Sequence, residues 1–264
     1  MGEAIVVTSG KGGVGKTTSS ANIGTALALL GKKVCLVDTD IGLRNLDVVM
    51  GLENRIIFDI VDVATGNCRV EQALIKDKRF EHLFLLAAAQ TKDKLALSVD
   101  SMQMIVRKLK SQFDYIIIDC PAGIEHGFRV AITGADQAIV VTTPEQAAVR
   151  DADRVIGLLE AEKLPPAKLI INRIRPHMVK NGDMLDIDDI IGILSIDLLG
   201  IVPDDELVIK GANQGEPIVV KPDSKASLAY RNIARRILGD AVPLLSLQEE
   251  DGFFKRMRKL IGLR

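Results

Sequence analysis

A glycine-rich segment at residues 10–18 constrains the fold of this chain more than any other feature, because it lies between an apolar run and a helical pattern. It reads Gly-Lys-Gly-Gly-Val-Gly-Lys-Thr-Thr and fits the phosphate-loop spacing of a glycine, four residues and Gly-Lys-Thr. Glycines let the backbone wrap closely and point its N–H groups at phosphate oxygens, and the following helix adds its positive N-terminal end. The segment therefore predicts a strand, a loop and a helix that bind a nucleotide.

The side chains of this loop have separate predicted roles. Lys16 is expected to reach the β and γ phosphates, and the Thr17 hydroxyl to ligate Mg²⁺. The residues predicted to bind nucleotide in the loop are Gly10, Lys11, Gly12, Gly13, Val14, Gly15, Lys16, Thr17 and Thr18.

Short β-branched runs alternate with longer helical patterns along the whole chain, which predicts an α/β fold. Apolar runs at 5–7, 34–37, 83–86, 115–118, 138–141, 169–171 and 198–202 read as buried strands. Helical patterns occur at 17–30, 102–112, 146–162 and 227–238. We expect a doubly wound, mostly parallel sheet flanked by helices, with the ligand site at the carboxyl ends of the strands. The predicted organisation is a P-loop domain over 1–240, a flexible linker over 241–252 and an amphipathic helix over 253–264.

Acidic residues follow two of the predicted strands. Asp38 comes directly after the second and Asp40 two residues later, and Asp119 follows the run at 115–118. Carboxylates at the ends of neighbouring parallel strands converge on one crevice, where one can hold Mg²⁺ or its waters and another can orient an attacking water. Any one of them could instead cap a helix or close a turn.

Composition excludes several classes of protein. Lys and Arg number 34 against 35 Asp and Glu, and this net charge of −1 argues against a protein that binds nucleic acid with its whole surface. The three cysteines are odd in number and far apart, so a disulfide framework or structural zinc site is not expected and a reducing cytosol is the simplest location.

The end of the chain differs in charge from the rest. Residues 252–264 hold five cations and no acids, which leaves −6 for the other 251 residues. On a helical projection the apolar side chains cover an arc of about 120° and the cations lie opposite. Such a helix suits an anionic membrane surface, although a final helix packed on its own domain is the alternative. The apolar residues are Phe253, Phe254, Met257, Leu260 and Ile261, and the cations opposite them are Lys255, Arg258 and Lys259.

The second lysine of the loop, Lys11, completes a recognisable combination. With the acidic segment 38–47, the segment 119–123 and the basic tail, the chain resembles the deviant Walker A ATPases of the MinD/ParA family, and among them those that place the division septum. The resemblance implies an ATPase that depends on Mg²⁺ and on dimerisation, with ATP and Mg²⁺ as cofactors.

Roles for individual residues come with this resemblance. It implies that Lys11 acts in trans across a nucleotide-sandwich dimer, and that Lys11, Lys16 and Asp40 are the catalytic residues, with Asp40 positioning water. Thr17, Asp38 and Asp119 are implied on the metal side. The implied adenine contacts are Asn172, Arg173, Pro203 and Asp205.

Partners are also implied only by the resemblance. They are a second copy of the chain, the division inhibitor MinC, MinE or a topological adaptor, and anionic lipids, with no specific nucleic acid. The implied location is the cytoplasm, peripheral on the inner face of the plasma membrane, where MinC blocks FtsZ ring assembly away from midcell. The helix at 145–154 is the candidate for dimer and partner contacts. Two alternatives share the loop: flagellar-number (FlhG-like) ATPases and DNA-partitioning (ParA-like) ATPases.

Overall fold

An eight-stranded sheet forms the centre of the computed structural model, which describes residues 1–245. The strand order is β3-β4-β2-β5-β1-β6-β7-β8, and every pair is parallel except β3 with β4. The predicted doubly wound, mostly parallel sheet is therefore confirmed. The strands are β1 (Glu3–Thr8), β2 (Val34–Asp38), β3 (Leu74–Lys76), β4 (Leu83–Leu86), β5 (Tyr115–Asp119), β6 (Gln137–Thr142), β7 (Lys168–Ile174) and β8 (Asp197–Pro203).

Helices connect the strands and cover both faces of the sheet. Four of them lie where the helical patterns predicted them, and the others are mostly short. The α-helices are α1 (Lys16–Leu29), α2 (Leu46–Val49), α3 (Ile60–Ala64), α4 (Val70–Ala73), α5 (Val99–Lys110), α6 (His126–Ile132), α7 (Gln146–Ala161), α8 (Pro176–Lys180), α9 (Ile187–Leu194), α10 (Glu206–Asn213) and α11 (Lys225–Ile237). Short 3₁₀ turns occur at Glu53–Arg55, Lys94–Ala96 and Ile218–Val220.

Alternate residues of the central strands enter two separate cores. In β1, Ile5 and Val7 pack toward α1 and α11, whereas Ala4 and Val6 face the core formed with α5, α6 and α7. Both sets are buried because helices cover both faces, which explains why the strands read as continuous apolar runs.

Helix α1, which follows the glycine-rich loop, is fixed against α11 by a buried polar contact. The Tyr230 hydroxyl lies 3.1 Å from the Ser19 hydroxyl oxygen, and both side chains are buried. Burial raises the pKa of Tyr230 to about 12, so the phenol stays protonated and able to donate. The position of the loop therefore depends on the C-terminal helix of the domain.

The segment after α11 lies against the domain. The Arg236 guanidinium donates to the carbonyl oxygens of Leu199, Val242 and Pro243, the first two at 2.8 and 2.9 Å. Arg235 pairs with Asp240 at 3.0 Å. The first residues of the predicted linker at 241–252 are thus held by α11, and its remainder lies outside the described residues.

The predicted helix at 253–264, with all eight residues predicted to bind the membrane, also lies outside the described residues. Among the helices of residues 1–245, none is long and apolar enough to cross a bilayer.

Replacing Tyr230 with Phe tests the contact between α1 and α11. The change leaves the Ser19 hydroxyl buried without this partner, and we expect the free energy of unfolding to fall by about 1 kcal/mol. Urea denaturation measures the loss. The double variant Ser19→Ala/Tyr230→Phe removes both polar groups, so it should cost less than the sum of the two single changes; strict additivity would contradict the contact.

Candidate nucleotide site

The carboxyl ends of β1, β2 and β5 bring the glycine-rich loop and two carboxylates together. Asp38 is in register with Asp119 across β2 and β5, and Val7 of β1 is in register with Asp119. Residues in register on neighbouring strands point to the same face, here the face covered by α1. The loop joins β1 to α1, so the predicted phosphate-binding residues and both acids share one crevice.

At two positions of the loop, only glycine fits, because neighbouring residues leave no room for a Cβ atom. A Cβ at Gly10 would lie 2.1 Å from the backbone oxygen of Asp151 in α7. A Cβ at Gly15, the residue before α1, would lie 2.3 Å from Asn172 Nδ2, and its φ of 100° is also left-handed. The loop is therefore shaped by α7 and β7 as well as by its own sequence.

The two lysines of the loop have opposite environments. Lys16 is buried, and its Nζ donates to Ser9 Oγ at 2.9 Å. The Ser9 hydroxyl in turn donates to the Lys11 carbonyl oxygen at 2.7 Å, while the Lys11 side chain is exposed. One ammonium thus points into the crevice and the other is open to solvent at its rim.

Asp119 and Asp38 are both buried, and their hydrogen-bond partners differ. Asp119 accepts from the Ser20 hydroxyl of α1 at 2.9 Å. Asp38 accepts from two backbone amides, that of Asp40 at 2.9 Å and that of Leu46 at 3.1 Å. Burial is the main cause that raises the pKa of each carboxyl, and the negative charge of Asp119 raises that of Asp38 further. Asp119 is thus tied to the helix of the phosphate loop, and Asp38 braces the backbone of the segment that follows β2.

Asp40 lies at the edge of the same crevice and is only partly buried. Burial raises the pKa of its carboxyl, while the positive charges of Lys94 and Lys16 lower it. Its carbonyl oxygen accepts from the amides of Leu43 and Arg44, so the residue starts a tight turn. The Asp40 carboxyl therefore lies within the electrostatic influence of the Lys16 ammonium.

The predicted base-binding residues occupy two different situations. Asn172 is buried against the phosphate loop, where its Nδ2 donates to the Val14 carbonyl oxygen at 2.8 Å. Arg173 is exposed and has a left-handed φ of 56°. Pro203 ends β8, and Asp205 caps α10 by accepting from Leu207 N at 2.9 Å, while its second carboxylate oxygen accepts from the Ser224 hydroxyl at 2.7 Å. Only the first of the four therefore contacts the phosphate loop through a side-chain hydrogen bond.

The donors in the crevice fit a nucleotide with Mg²⁺. The loop supplies backbone N–H groups and Lys16 for phosphate, and the oxygens of Thr17, Asp38 and Asp119 are ligands that suit a hard cation. Across residues 1–245 no three acidic, His or Cys side chains form a complete metal site. These residues would therefore supply part of a Mg²⁺ shell and leave the rest to phosphate and water, as is usual for this ion.

Three residues that make contacts in the site, Ser9, Ser20 and Asp151, were not among the predicted site residues. Ser9 and Asp151 lie outside the loop motif, and nothing in the sequence signals that one holds Lys16 or that the other approaches Gly10. Ser20 could have been found, because it follows Lys16 by four residues and so lies on the same face of α1.

The fold and the crevice define a P-loop nucleotide-binding protein with a second lysine in its loop, the deviant Walker A class. A family profile described as "AAA domain" matches residues 2–163. The chain is 64% identical to the septum site-determining protein MinD of Bacillus subtilis (strain 168), and the match covers all of both chains. It is 53% identical to the protein of that name from Thermotoga maritima over 92% of this chain and 91% of the relative. The chain belongs to the MinD family of septum site-determining proteins, which are P-loop ATPases.

Solved structures agree with this assignment. The chain superposes on a chain of the MinC:MinD cell division protein complex of Aquifex aeolicus with a TM-score of 0.86 and 50% identity, covering 92% of this chain and 99% of that one. It superposes on MinD complexed with Mg-ADP from Pyrococcus horikoshii with a TM-score of 0.83 and 29% identity, covering 92% of this chain and 100% of that one. The resemblance drawn from the sequence is therefore confirmed.

The buried carboxyl of Asp119 predicts a pH-dependent difference between the chain and its Asp119→Asn variant. Burial raises the pKa of this carboxyl in the folded state. Its contribution to stability is therefore complete below its pKa in the unfolded chain, about 4, and is lost as the pH rises through its pKa in the folded state. Without nucleotide, the variant should therefore gain stability relative to the parent between about pH 5 and about pH 8, on the order of 1 kcal/mol. Urea unfolding at both pH values measures this gain.

The exposed Asp183 provides the matched control for this experiment, because Asp183→Asn removes a carboxylate that stays in water. The stability of the Asp183→Asn variant relative to the parent chain should stay nearly constant over the same pH range. An equal trend in both variants would show that the burial of Asp119 is not the cause.

Proposed function

We propose that this chain is a Mg²⁺-dependent ATPase that dimerises with ATP, binds the inner face of the plasma membrane and recruits MinC, which keeps FtsZ rings from assembling away from midcell. The observation that carries the proposal is the opposite placement of the two loop lysines. Lys16 points inward onto Ser9, and Lys11 is exposed at the rim of the same loop.

This placement suits a division of work between two subunits. An inward ammonium serves the phosphates held by its own loop, whereas an exposed one is free to approach the phosphates of a second copy. A cation supplied from a partner stabilises the charge that develops on a transferring phosphoryl group. Dimerisation would then be required for efficient hydrolysis.

The other residues of the crevice have complementary roles in this proposal. Thr17, Asp38 and Asp119 would hold Mg²⁺ or its waters, and the ion would neutralise charge on the phosphates when bound. Asp40 would orient the attacking water. The Mg-ADP named for the Pyrococcus horikoshii protein supports these cofactors.

The MinC partnership rests on the Aquifex aeolicus relative, which is named in a MinC:MinD complex. On this chain the candidate surface is the start of α7. Gln146, Arg150 and Asp153 are exposed there, and together with Leu185 and Ile193 they line a groove. MinE or a topological adaptor would act on the membrane-bound dimer to set its position.

Membrane binding is proposed from the sequence of residues 253–264. Each cation near an anionic surface contributes roughly 1 kcal/mol, and the apolar side chains add several more before ordering costs. One short helix therefore binds weakly, but two joined in a dimer gain a factor on the order of 10² to 10⁴ from effective concentration. Nucleotide-controlled dimerisation would in this way control attachment.

Replacing Lys11 with Ala tests the role in trans. The variant should retain much of its nucleotide affinity, because Lys16 and the loop amides remain, but should lose at least about tenfold in turnover. Steady-state hydrolysis with saturating Mg-ATP and equilibrium nucleotide binding are the measurements. Lys108→Ala removes an exposed lysine on α5 and should leave turnover unchanged. Normal turnover in Lys11→Ala would reject the role.

Replacing Phe254 with Asp tests the membrane helix. The change places a charge among the apolar residues and should abolish ATP-dependent sedimentation with anionic vesicles, while nucleotide binding persists. The matched control is Leu244→Asp, which adds the same charge at an exposed position before the predicted helix and should change sedimentation far less. Equal sedimentation of Phe254→Asp and the parent chain would contradict the anchor.

The cellular proposal is tested by following the tagged chain in dividing cells and by recovering MinC with it. Membrane localisation together with MinC recovery supports the proposal. Retention on DNA at physiological salt by a chain lacking residues 253–264 would instead favour a DNA-partitioning function.

A further inference from the structure

The turn that carries Asp40 ends at an arginine in an unusual backbone conformation. The amides of Leu43 and Arg44 donate to the Asp40 carbonyl oxygen at 3.2 and 3.0 Å. Arg44 closes this turn with a φ of +33°, a left-handed conformation that costs a residue with a Cβ roughly 1 kcal/mol or more. An arginine at such a position needs a compensating contact.

That contact is an ion pair with a buried carboxylate. Arg44 Nε lies 2.8 Å from Asp47 Oδ2, and the Asp47 side chain is fully buried in α2. In residues 1–245, Arg44 is the only cation within ion-pair distance of this carboxylate, and no side chain hydrogen-bonds to its oxygens. Removing the cation from a buried carboxylate strongly destabilises the folded state. The pair therefore holds Arg44 in place despite its backbone conformation.

The rest of the segment is fixed by its backbone. Asp38 accepts from the amides of Asp40 and Leu46, one at each end of the turn, and Gly42 N donates to the Ala89 carbonyl oxygen at 2.8 Å. Between these ends, the Ile41 side chain is buried in the core, and the Arg44–Asp47 pair adds an ionic anchor. The turn is therefore held at its two ends and in its middle.

The Asp40 side chain itself has no hydrogen-bond partner in the described part of the chain and is only partly buried. Its direction is consequently set by the turn beneath it and not by contacts of its own carboxylate. A shift of the turn by a fraction of an ångström would move the carboxylate without altering the glycine-rich loop.

We infer that Arg44, through its ion pair with buried Asp47, is a positioning residue that holds the Asp40 carboxylate where it orients the attacking water. This inference rests on the proposed function, in which Asp40 has that role. Arg44 contacts neither phosphate nor water in the reaction; it keeps the turn in one conformation, and misplacement of such a group lowers turnover far more than binding.

Three variants of the full chain test the inference. Arg44→Gly removes the cation but accepts the left-handed conformation, Asp47→Asn removes the buried charge at similar size, and the third variant combines both changes. Each should lower kcat by about tenfold or more. Nucleotide affinity, and the fraction of chain that dimerises with ATP, should each change by less than about twofold. Hydrolysis with saturating Mg-ATP and anionic vesicles, nucleotide titration, sedimentation and thermal unfolding are measured together.

The double variant separates positioning from stability. Arg44→Gly alone leaves Asp47 buried and unpaired, so its Tm should fall, and adding Asp47→Asn should raise the Tm again because the unpaired charge is gone. Turnover should stay low in the double variant, since the anchor is still missing. Recovery of turnover together with Tm would show a purely structural role and overturn the inference.

The control is another aspartate of an ion pair, Asp136, which bonds Lys110 at 2.6 Å and the amide of Ala4 near the amino end of β1, opposite the crevice. Asp136→Asn should lower stability and leave kcat unchanged. An Arg44→Gly variant with kcat within about twofold of the parent would reject the inference alone. A parent chain without turnover would instead reject the proposed function, and this role with it.

Discussion

Two carboxylates buried side by side impose the main electrostatic constraint on this protein. Asp38 and Asp119 end neighbouring parallel strands in register, so the sheet forces them onto one face, and burial makes ionisation of either unfavourable. The contacts that offset this are local: backbone amides for Asp38, and the Thr17 and Ser20 hydroxyls and the charge of Lys16 for Asp119. The site is therefore built to accept further positive charge, which a divalent cation would provide.

The same crevice depends on elements far away in sequence. Gly10 touches the backbone of α7, Gly15 touches Asn172 of β7, and α1 is fixed to α11 through Ser19 and Tyr230. A phosphate-binding loop is often described as a local motif, yet here its conformation is determined by three separate helices and strands. Changes at any of them reach the loop through close backbone or buried side-chain contacts, which have little room to relax.

The sequence predicted much of this arrangement, for identifiable reasons. The loop motif and the apolar runs are long, regular signals, and the acids at the ends of β2 and β5 follow from parallel topology. Strand β3 was missed because its three residues, Leu74–Lys76, are too few to show a period, and it runs antiparallel at the edge. The contact between Gly10 and Asp151 and the left-handed Arg44 depend on tertiary packing and backbone angles, which no residue pattern encodes.

The bonds from Arg236 to the carbonyls of Val242 and Pro243 have a geometric consequence for the orientation of the molecule. Since the structure holds the chain as far as 245, only seven residues, 246–252, separate the domain from position 253. Seven residues span at most about 25 Å even when fully extended. On the proposed membrane role, the short tether would keep the end of α11 close to the bilayer and restrict which faces of the domain can point toward the cytoplasm. By fixing where this tether begins, Arg236 at the end of α11 would then limit the distance between the ATPase domain and the membrane.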